Sequence, residues 1–309
     1  MKYSNETRKV LLAETAERLW ADPGAVVREA ESRCKSALEE VCRTAVAEDT
    51  NVILLSGPSA SGKTTSAHRI AGGLEHMGKK ARIISLDNFY KPHGRLPLWP
   101  NGTLNFESVD GLDTECLGDC LNQLWQKGCA DFPIFDFETQ NRSAQTMKIC
   151  WDPQTFLIFE GIHALNPVIG GELGGRRPLR VYVSVHSDFL DAEGETVLAA
   201  RDLRLTRRML RDYAHRNSPI QHTLQLWGDV LRGEELYMRP YRGNADLHIN
   251  TAHDYEPFLY TARLTSLLRE AGDCGDYRYL VNRLLAMQKH FFEIGWELVP
   301  ERSLVREFL

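Results

Sequence analysis

The chain has 309 residues, 43% hydrophobic, 26% charged and 9% aromatic, which is the profile of an ordinary globular protein and excludes disordered, collagenous and fibrous classes. Its 37 lysines and arginines against 42 acids leave a formal charge of −5, so nothing global attracts it to nucleic acid or an anionic membrane, and any anion site must be local. Residues Met1 to Val10 are polar, and apolar strings such as Val52–Leu55 and Phe156–Phe159 are far below membrane-span length, so a cytoplasmic protein with no membrane or nucleic-acid partner is expected. Cys34, Cys42, Cys116, Cys120, Cys129, Cys150 and Cys274 form no C-x-x-C and read as reduced thiols. Cys116 and Cys120 share a helix face as packing residues in preference to zinc ligands.

Taken in chain order, residues 1–49 predict a helical extension. Leu12, Ala16, Leu19 and Trp20 fall on one face, and Asp22-Pro23 offers a cap and a first-turn proline. A second helix follows, with Val27, Ala30, Cys34, Leu38, Val41 and Ala45 at helical spacing. Residues 50–255 alternate short apolar runs with helical stretches, which predicts a parallel sheet covered on both faces. The strands are placed at Val52–Ser56, Ala81–Leu86, Phe156–Phe159 and Arg180–Val185, with a fifth at Asp246–Asn250. Residues 256–309 predict a second helical extension, broken at Ala271–Asp276 and ending in a mixed tail without a chemical signature.

The first strand runs into Gly57-Pro58-Ser59-Ala60-Ser61-Gly62-Lys63-Thr64-Thr65, a full G-x-x-x-x-G-K-[ST] loop, and then a helical stretch from Ser66 to His76. Glycines let successive backbone N–H groups point inward, and the helix start adds positive potential. Lys63 reaches the outer phosphates of ATP, and Thr64 offers a hydroxyl to Mg²⁺. Such a loop serves kinases, GTPases and switches alike. No N-K-x-D guanine signature is present, which weakens the GTPase reading.

The second strand ends in Ser85-Leu86-Asp87-Asn88-Phe89-Tyr90. Asp87 then faces the phosphates, where a carboxylate can take the proton of an attacking hydroxyl. Phe156–Phe159 delivers Glu160 to the same edge, in a position to support the metal, whereas His163 reads as a satisfied polar residue. Between residues 201 and 216 stand six arginines and only Asp202 and Asp212 as acids. Arg204, Arg208 and Arg211 share a helical face, which suits a lid over about 200–220 that closes on transferring phosphates.

These residues resemble the uridine kinase-like nucleoside kinases of the phosphoribulokinase and uridine kinase family of P-loop kinases. The likeness covers roughly Asn51 to Tyr255 and rests on GPSASGKTT, SLDNFY, NFESVDGLD, PIFDFETQNR, FEGIHALNP, RLTRRMLRDY and RGEELYMRP in the family's order. The resemblance implies that Asp87 is general base for a sugar 5′-hydroxyl, that Tyr90 lines the acceptor site and that Glu107 holds ribose hydroxyls. It implies further that Arg208 contacts the acceptor, that Arg211 and Arg216 belong to the lid, that Phe137 stacks near the base and that Arg142 is a basic residue of that loop. Phe135 stands where well-studied uridine kinases have Tyr, and Gln140 where they have His. Glu107 is a carbon longer than the usual Asp, and Ser218 replaces an arginine. A pocket built on hydrogen bonds discriminates strongly against substrates that leave its groups unpaired, so these exchanges bear on acceptor identity.

The sequence therefore predicts an α/β fold, a P-loop NTPase-type parallel sheet flanked by helices, with helical N- and C-terminal extensions. The expected activity is transfer of the ATP γ-phosphoryl group, with Mg²⁺, to a nucleoside by a homo-oligomeric kinase. Gly57, Ser59, Ala60, Ser61, Gly62, Lys63, Thr64 and Thr65, with Arg211 and Arg216, would bind ATP. Asp87, Lys63, Arg208 and Arg211 would carry the chemistry. The rivals are a kinase of another small metabolite, like phosphoribulokinase or pantothenate kinase, and a nucleotide-binding switch.

Overall fold

The computed structural model describes residues 7–136, 139–272 and 274–309. The elements run β1 (Arg8–Leu11), α1 (Leu12–Ala21), α2 (Pro23–Ala47), β2 (Val52–Ser56), α3 (Lys63–His76), β3 (Lys80–Ser85), α4 (Thr114–Lys127), β4 (Cys129–Asp136), β5 (Asn141–Cys150), β6 (Thr155–Glu160), α5 (Pro167–Gly171), β7 (Leu179–Ser184), β8 (Ser187–Leu190), β9 (Thr196–Leu198), α6 (Ala200–His215), α7 (Ile220–Gly233), α8 (Arg239–Arg242), β10 (Leu247–Asn250), α9 (Glu256–Glu270) and α10 (Arg278–Met287).

Five strands form a sheet in the order β10-β7-β2-β6-β3, with every pairing parallel. Side chains of β2 and β6 are buried along their whole length, because helices cover both faces; such strands read as unbroken apolar runs. The chain leaves β2 at the centre of the sheet and continues to one side and then the other, so the strand order reverses there. Ligands in open α/β sheets collect at that point, beyond the carboxyl ends of the strands. All five predicted strands are present to within a residue or two.

Three features depart from the sequence reading. The polar start of the chain contains a strand: β1 pairs in parallel with β8 from Arg8↔Ser187 to Leu11↔Leu190. Trp20 does not share the buried face of α1; it is 74% exposed and stacks on Phe292 with ring centroids 4.6 Å apart. The cysteines are not all free thiols. Cys129 and Cys150 face each other at the base of the antiparallel β4–β5 hairpin and are joined as a disulfide. This cross-strand contact was invisible without the hairpin, which brings together cysteines 21 positions apart.

The cap predicted for α2 is present, with Asp22 Oδ1 accepting from the Ala25 amide at 2.9 Å. Val27, Ala30, Cys34, Leu38, Val41 and Ala45 are buried in a core cluster that also holds Leu264, Leu284, Val305 and Phe308 from the C-terminal part and Ile53 and Ile70 from the sheet region. Among the described residues, no helix is long and apolar enough to cross a membrane.

Candidate active site

The phosphate loop follows β2 and ends in α3. Two glycines are required by their surroundings. A Cβ at Gly57 would overlap the Val183 carbonyl oxygen, and Gly62, at φ +82°, would place one 2.7 Å from the Leu304 side chain. Ala60 also takes a left-handed conformation, at φ 58°. The loop carbonyls are drawn outward by side chains behind it: Arg204 Nε donates to Ser59 O at 3.0 Å, Arg207 Nη1 to Ala60 O at 3.3 Å and Thr251 Oγ1 to Ser61 O at 2.8 Å. A peptide whose carbonyl is pinned outward turns its N–H the other way, so these contacts build an anion-binding concavity. Lys63 Nζ lies over the loop, donating to Pro58 O at 3.2 Å.

Asp87 arrives from β3, which is not adjacent to β2; β6 lies between them. A single 3-10 turn, Leu86–Phe89, carries it back toward the loop. Gly161 at the end of β6 permits this, since a Cβ there would come 2.8 Å from Leu86 Cβ. Burial raises the Asp87 carboxyl, against the pull of Lys63, Arg216 and Arg211. Burial lowers Lys63, with Glu160 and Asp87 opposing it. Glu160 is pushed up to about 7 by burial and by Asp87, and accepts from Ser85 Oγ at 2.8 Å. Asp87, Lys63 and Glu160 thus share one electrostatic neighbourhood at the mouth of the loop.

The arginine segment is a packed helix, and the expected closing face is divided. Arg204 is 7% exposed and pairs with Glu234, so it braces the loop and does not belong to a closing set. Arg207, 0% exposed, is paired with Glu256 at 2.5 Å. Arg208, Arg211 and Arg216 instead gather round one carboxylate, Asp212, at 3.4, 2.9 and 3.6 Å. Three cations on one acid leave net positive charge beside the cradle, and Arg208 Nη1 also donates to Ser59 Oγ at 2.7 Å. This arrangement arises because α6 is amphipathic in an unusual sense: Leu203, Leu205, Met209 and Leu210 enter the core while buried arginines are matched by acids from other elements.

On the other side of Asp87, Tyr90 packs against Phe106 and Phe135, each with ring centroids 5.7 Å away, and its hydroxyl donates to Phe106 O at 2.7 Å. Glu107 is pushed up to about 7 by burial, with Arg208 pulling it down and Glu234 adding to the rise. Asn105 Oδ1 accepts from the Glu107 and Ser108 amides at 3.0 and 3.1 Å. Gly233 leaves the space Glu107 occupies, since a Cβ there would overlap the Glu107 side chain. His163, at 1% exposure, lies against the backbone of Glu107 and Ser108 and is lowered by burial to about 4, so it is neutral near pH 7. Gln140 is turned to His93, Oε1 to Nδ1 at 2.6 Å. Arg142 donates to Asp113 Oδ2 at 2.8 Å, tying the β4–β5 hairpin to the start of α4. Phe137 lies outside the described residues.

Nothing in the sequence singles out Thr251, Glu256 or Glu234 as supports of the loop, and Arg207 there is one of a basic run. Thr251, next after β10 at the ligand edge of the sheet, was findable from topology alone; the acids that partner Arg204 and Arg207 were not.

The donor set at the loop suits a triphosphate with Mg²⁺. The Ser61 hydroxyl is buried with no partner inside the cradle, and Thr64 is exposed at the first turn of α3. Hydroxyl and carboxylate oxygens are what a hard cation takes. Among the described residues, no three His, Cys, Asp or Glu converge, and Mg²⁺ ordinarily relies on substrate phosphates for the remaining positions.

Sheet order, phosphate loop and converging acids together define a P-loop kinase. Residues 52–256 match the Phosphoribulokinase / Uridine kinase family, and the chain belongs to that family, as a phosphotransferase acting on a hydroxyl group. It is 27% identical over 223 residues to a uridine kinase of Lactobacillus helveticus, covering 71% of this chain and 96% of the relative. To a uridine kinase of Mycoplasma genitalium it is 30% identical over 197 residues, covering 63% and 83%. A solved Silicibacter structure, named for a fructose transport system kinase, aligns with a TM-score of 0.51 at 20% identity over 68% of this chain and 98% of that one, a likeness of fold.

Proposed function

We propose that the protein transfers the γ-phosphoryl group of ATP to the 5′-hydroxyl of a nucleoside of the uridine or cytidine kind. The observation that carries this reading is Asp87 set in one neighbourhood with Lys63, Arg211 and Arg216, an acid among the cations that a transferring phosphoryl group needs. In this reading Asp87 accepts the hydroxyl proton as the oxygen attacks the γ-phosphorus, and ADP departs with the bond it breaks. Lys63, Arg211 and Arg216 neutralise the charge of the phosphates, and Arg208 reaches both the loop and the acceptor. Tyr90 and Phe135 form the apolar wall for the acceptor, and Glu107 holds its sugar hydroxyls. Bound Mg²⁺, held by Thr64 and Glu160, would supply further neutralisation of the β- and γ-phosphates. The relatives named as uridine kinases support the choice of acceptor class.

A second reading keeps the chemistry and changes the acceptor to another small metabolite. It is favoured by Phe135, buried without a polar group to read a base, and by Gln140, whose amide oxygen is engaged with His93. An ATP-coupled assay with uridine, cytidine, other nucleosides, pantothenate and sugar phosphates decides between them. Turnover of uridine or cytidine is expected; inert nucleosides alongside an active metabolite would establish the second reading.

A further inference from the structure

The family match ends at residue 256, and the last residues of the chain carry no motif. They are nonetheless built into the phosphate loop. Residues Leu304–Phe308 form a 3-10 turn with Leu304, Val305 and Phe308 at 0% exposure. Ser303 Oγ opens the turn by accepting from the Val305 amide at 3.2 Å, and Tyr260 Oη donates to Val305 O at 3.3 Å. The Phe308 ring lies 4.8 Å from the Arg207 guanidinium, and Leu304 fills the space over Gly62. These contacts hold Glu307 in one place, where its Oε2 accepts from Thr65 Oγ1 at 2.5 Å. Its charge is felt by Lys63 and Glu160.

Thr65 closes the glycine-rich loop, at the start of α3 where unpaired N–H groups and the helix dipole favour anions. A threonine hydroxyl has one proton. While Glu307 accepts it, that proton is withheld from a phosphate oxygen. The carboxylate also places a full negative charge one hydrogen bond from the loop that must receive a polyanion, and like charges at such range repel appreciably even at the effective dielectric of a protein surface. The segment itself is anchored by three buried side chains, so Glu307 cannot drift away with a frayed end; only its side chain, half-buried, can turn.

We propose that Glu307 is a donor-site residue that lowers the affinity of the loop for nucleotide, its carboxylate standing in for a phosphate oxygen on Thr65 and turning aside when a polyphosphate enters. This rests on the reading of the loop as the ATP site. The ligand class it opposes is defined by phosphate charge, so base and ribose are immaterial to it.

Calorimetric titration of the full chain with MgATP and with inorganic tripolyphosphate tests this, comparing the natural protein with Glu307→Gln, which retains an oxygen able to accept from Thr65. Glu307→Ala is a second neutral variant at this half-buried position. Both variants should bind both ligands roughly five- to tenfold more tightly, and the gain should shrink at about 0.5 M salt. Unchanged or weaker binding of both ligands overturns the proposal. Weaker binding of ATP with tripolyphosphate unchanged would assign Glu307 to the nucleoside and overturn it as well. Failure of every protein, natural chain included, to bind either ligand would remove the assignment of the loop and this inference with it, whereas binding equal in all three removes the inference alone.

Discussion

Arg207 and Glu256 form an enclosed ion pair at 2.5 Å directly behind the phosphate loop, both side chains at 0% exposure. The guanidinium is satisfied on every side, donating also to Ala60 O at 3.3 Å, Thr251 O at 2.8 Å and Thr251 Oγ1 at 3.3 Å. Removing one member strands the other charge in the interior. Arg207→Met should therefore cost about 3–5 kcal/mol, read as a lowered urea midpoint, while Arg207→Met combined with Glu256→Met should recover much of the loss. A single variant as stable as the natural protein would contradict the role assigned to the pair.

For Asp87 the expected result separates binding from chemistry. Asp87→Asn keeps the shape of the side chain and removes the base, so turnover should fall by roughly 10²–10⁴ while the dissociation constant for ATP changes little. Acid quench of a single turnover, beside equilibrium binding of ATP, measures both. Normal turnover in the variant would rule out Asp87 as the base.

Glu107 predicts a pH dependence with a defined sign. Burial pushes its carboxyl from 4.5 up to about 7, so between those values the folded state holds a proton that the unfolded chain has released. Stability contributed by this group is then present at low pH and lost as pH rises toward 7. Glu107→Gln should flatten that slope and gain on the order of 1 kcal/mol over the natural protein at about pH 8. Melting curves from about pH 5 to about pH 8 check it. Glu160, pushed up in the same way, leaves a residual slope of the same sign.

Local rules made the sheet and the loop legible. Val52–Ser56 and Thr155–Glu160 are buried throughout, so their unbroken hydrophobicity needed no partner to be recognised, and the glycine spacing of residues 57–65 encodes its own backbone geometry. The arginines were less legible, since the same residue type at helical spacing serves two purposes. Arg204 and Arg207 differ from Arg208 and Arg211 only in the presence of Glu234 and Glu256 opposite them, and those acids come from 30 and 49 positions away. The β4–β5 hairpin escaped because its strand residues include Asp131, Pro133, Arg142, Gln145 and Lys148, and half-exposed strands of that composition lack a clean period.

The disulfide at the base of that hairpin gives a countable outcome. Denatured without reductant, the chain should expose five reactive thiols, Cys34, Cys42, Cys116, Cys120 and Cys274; a count of seven by mass-tagged alkylation would refute the bond. Reduction should cost roughly 3 kcal/mol for a loop of this length and loosen the hairpin carrying Phe135 before it affects the phosphate loop.

Glu31, on α2, is a meeting point that the chemistry does not require. Tyr255 Oη donates to it at 2.8 Å, Ser303 Oγ donates to it, and Arg69 and His253 approach it at 3.9 and 3.4 Å. One carboxylate thereby links the opening helices, the first helix of the sheet domain, the end of β10 and the closing tail. The stretch shared with relatives is consequently expected to depend on both ends of the chain for its cooperativity. Excised as residues 52–256, it should emerge as insoluble or molten material with its inner faces bare, so ancestry and foldability draw different borders on the same polypeptide.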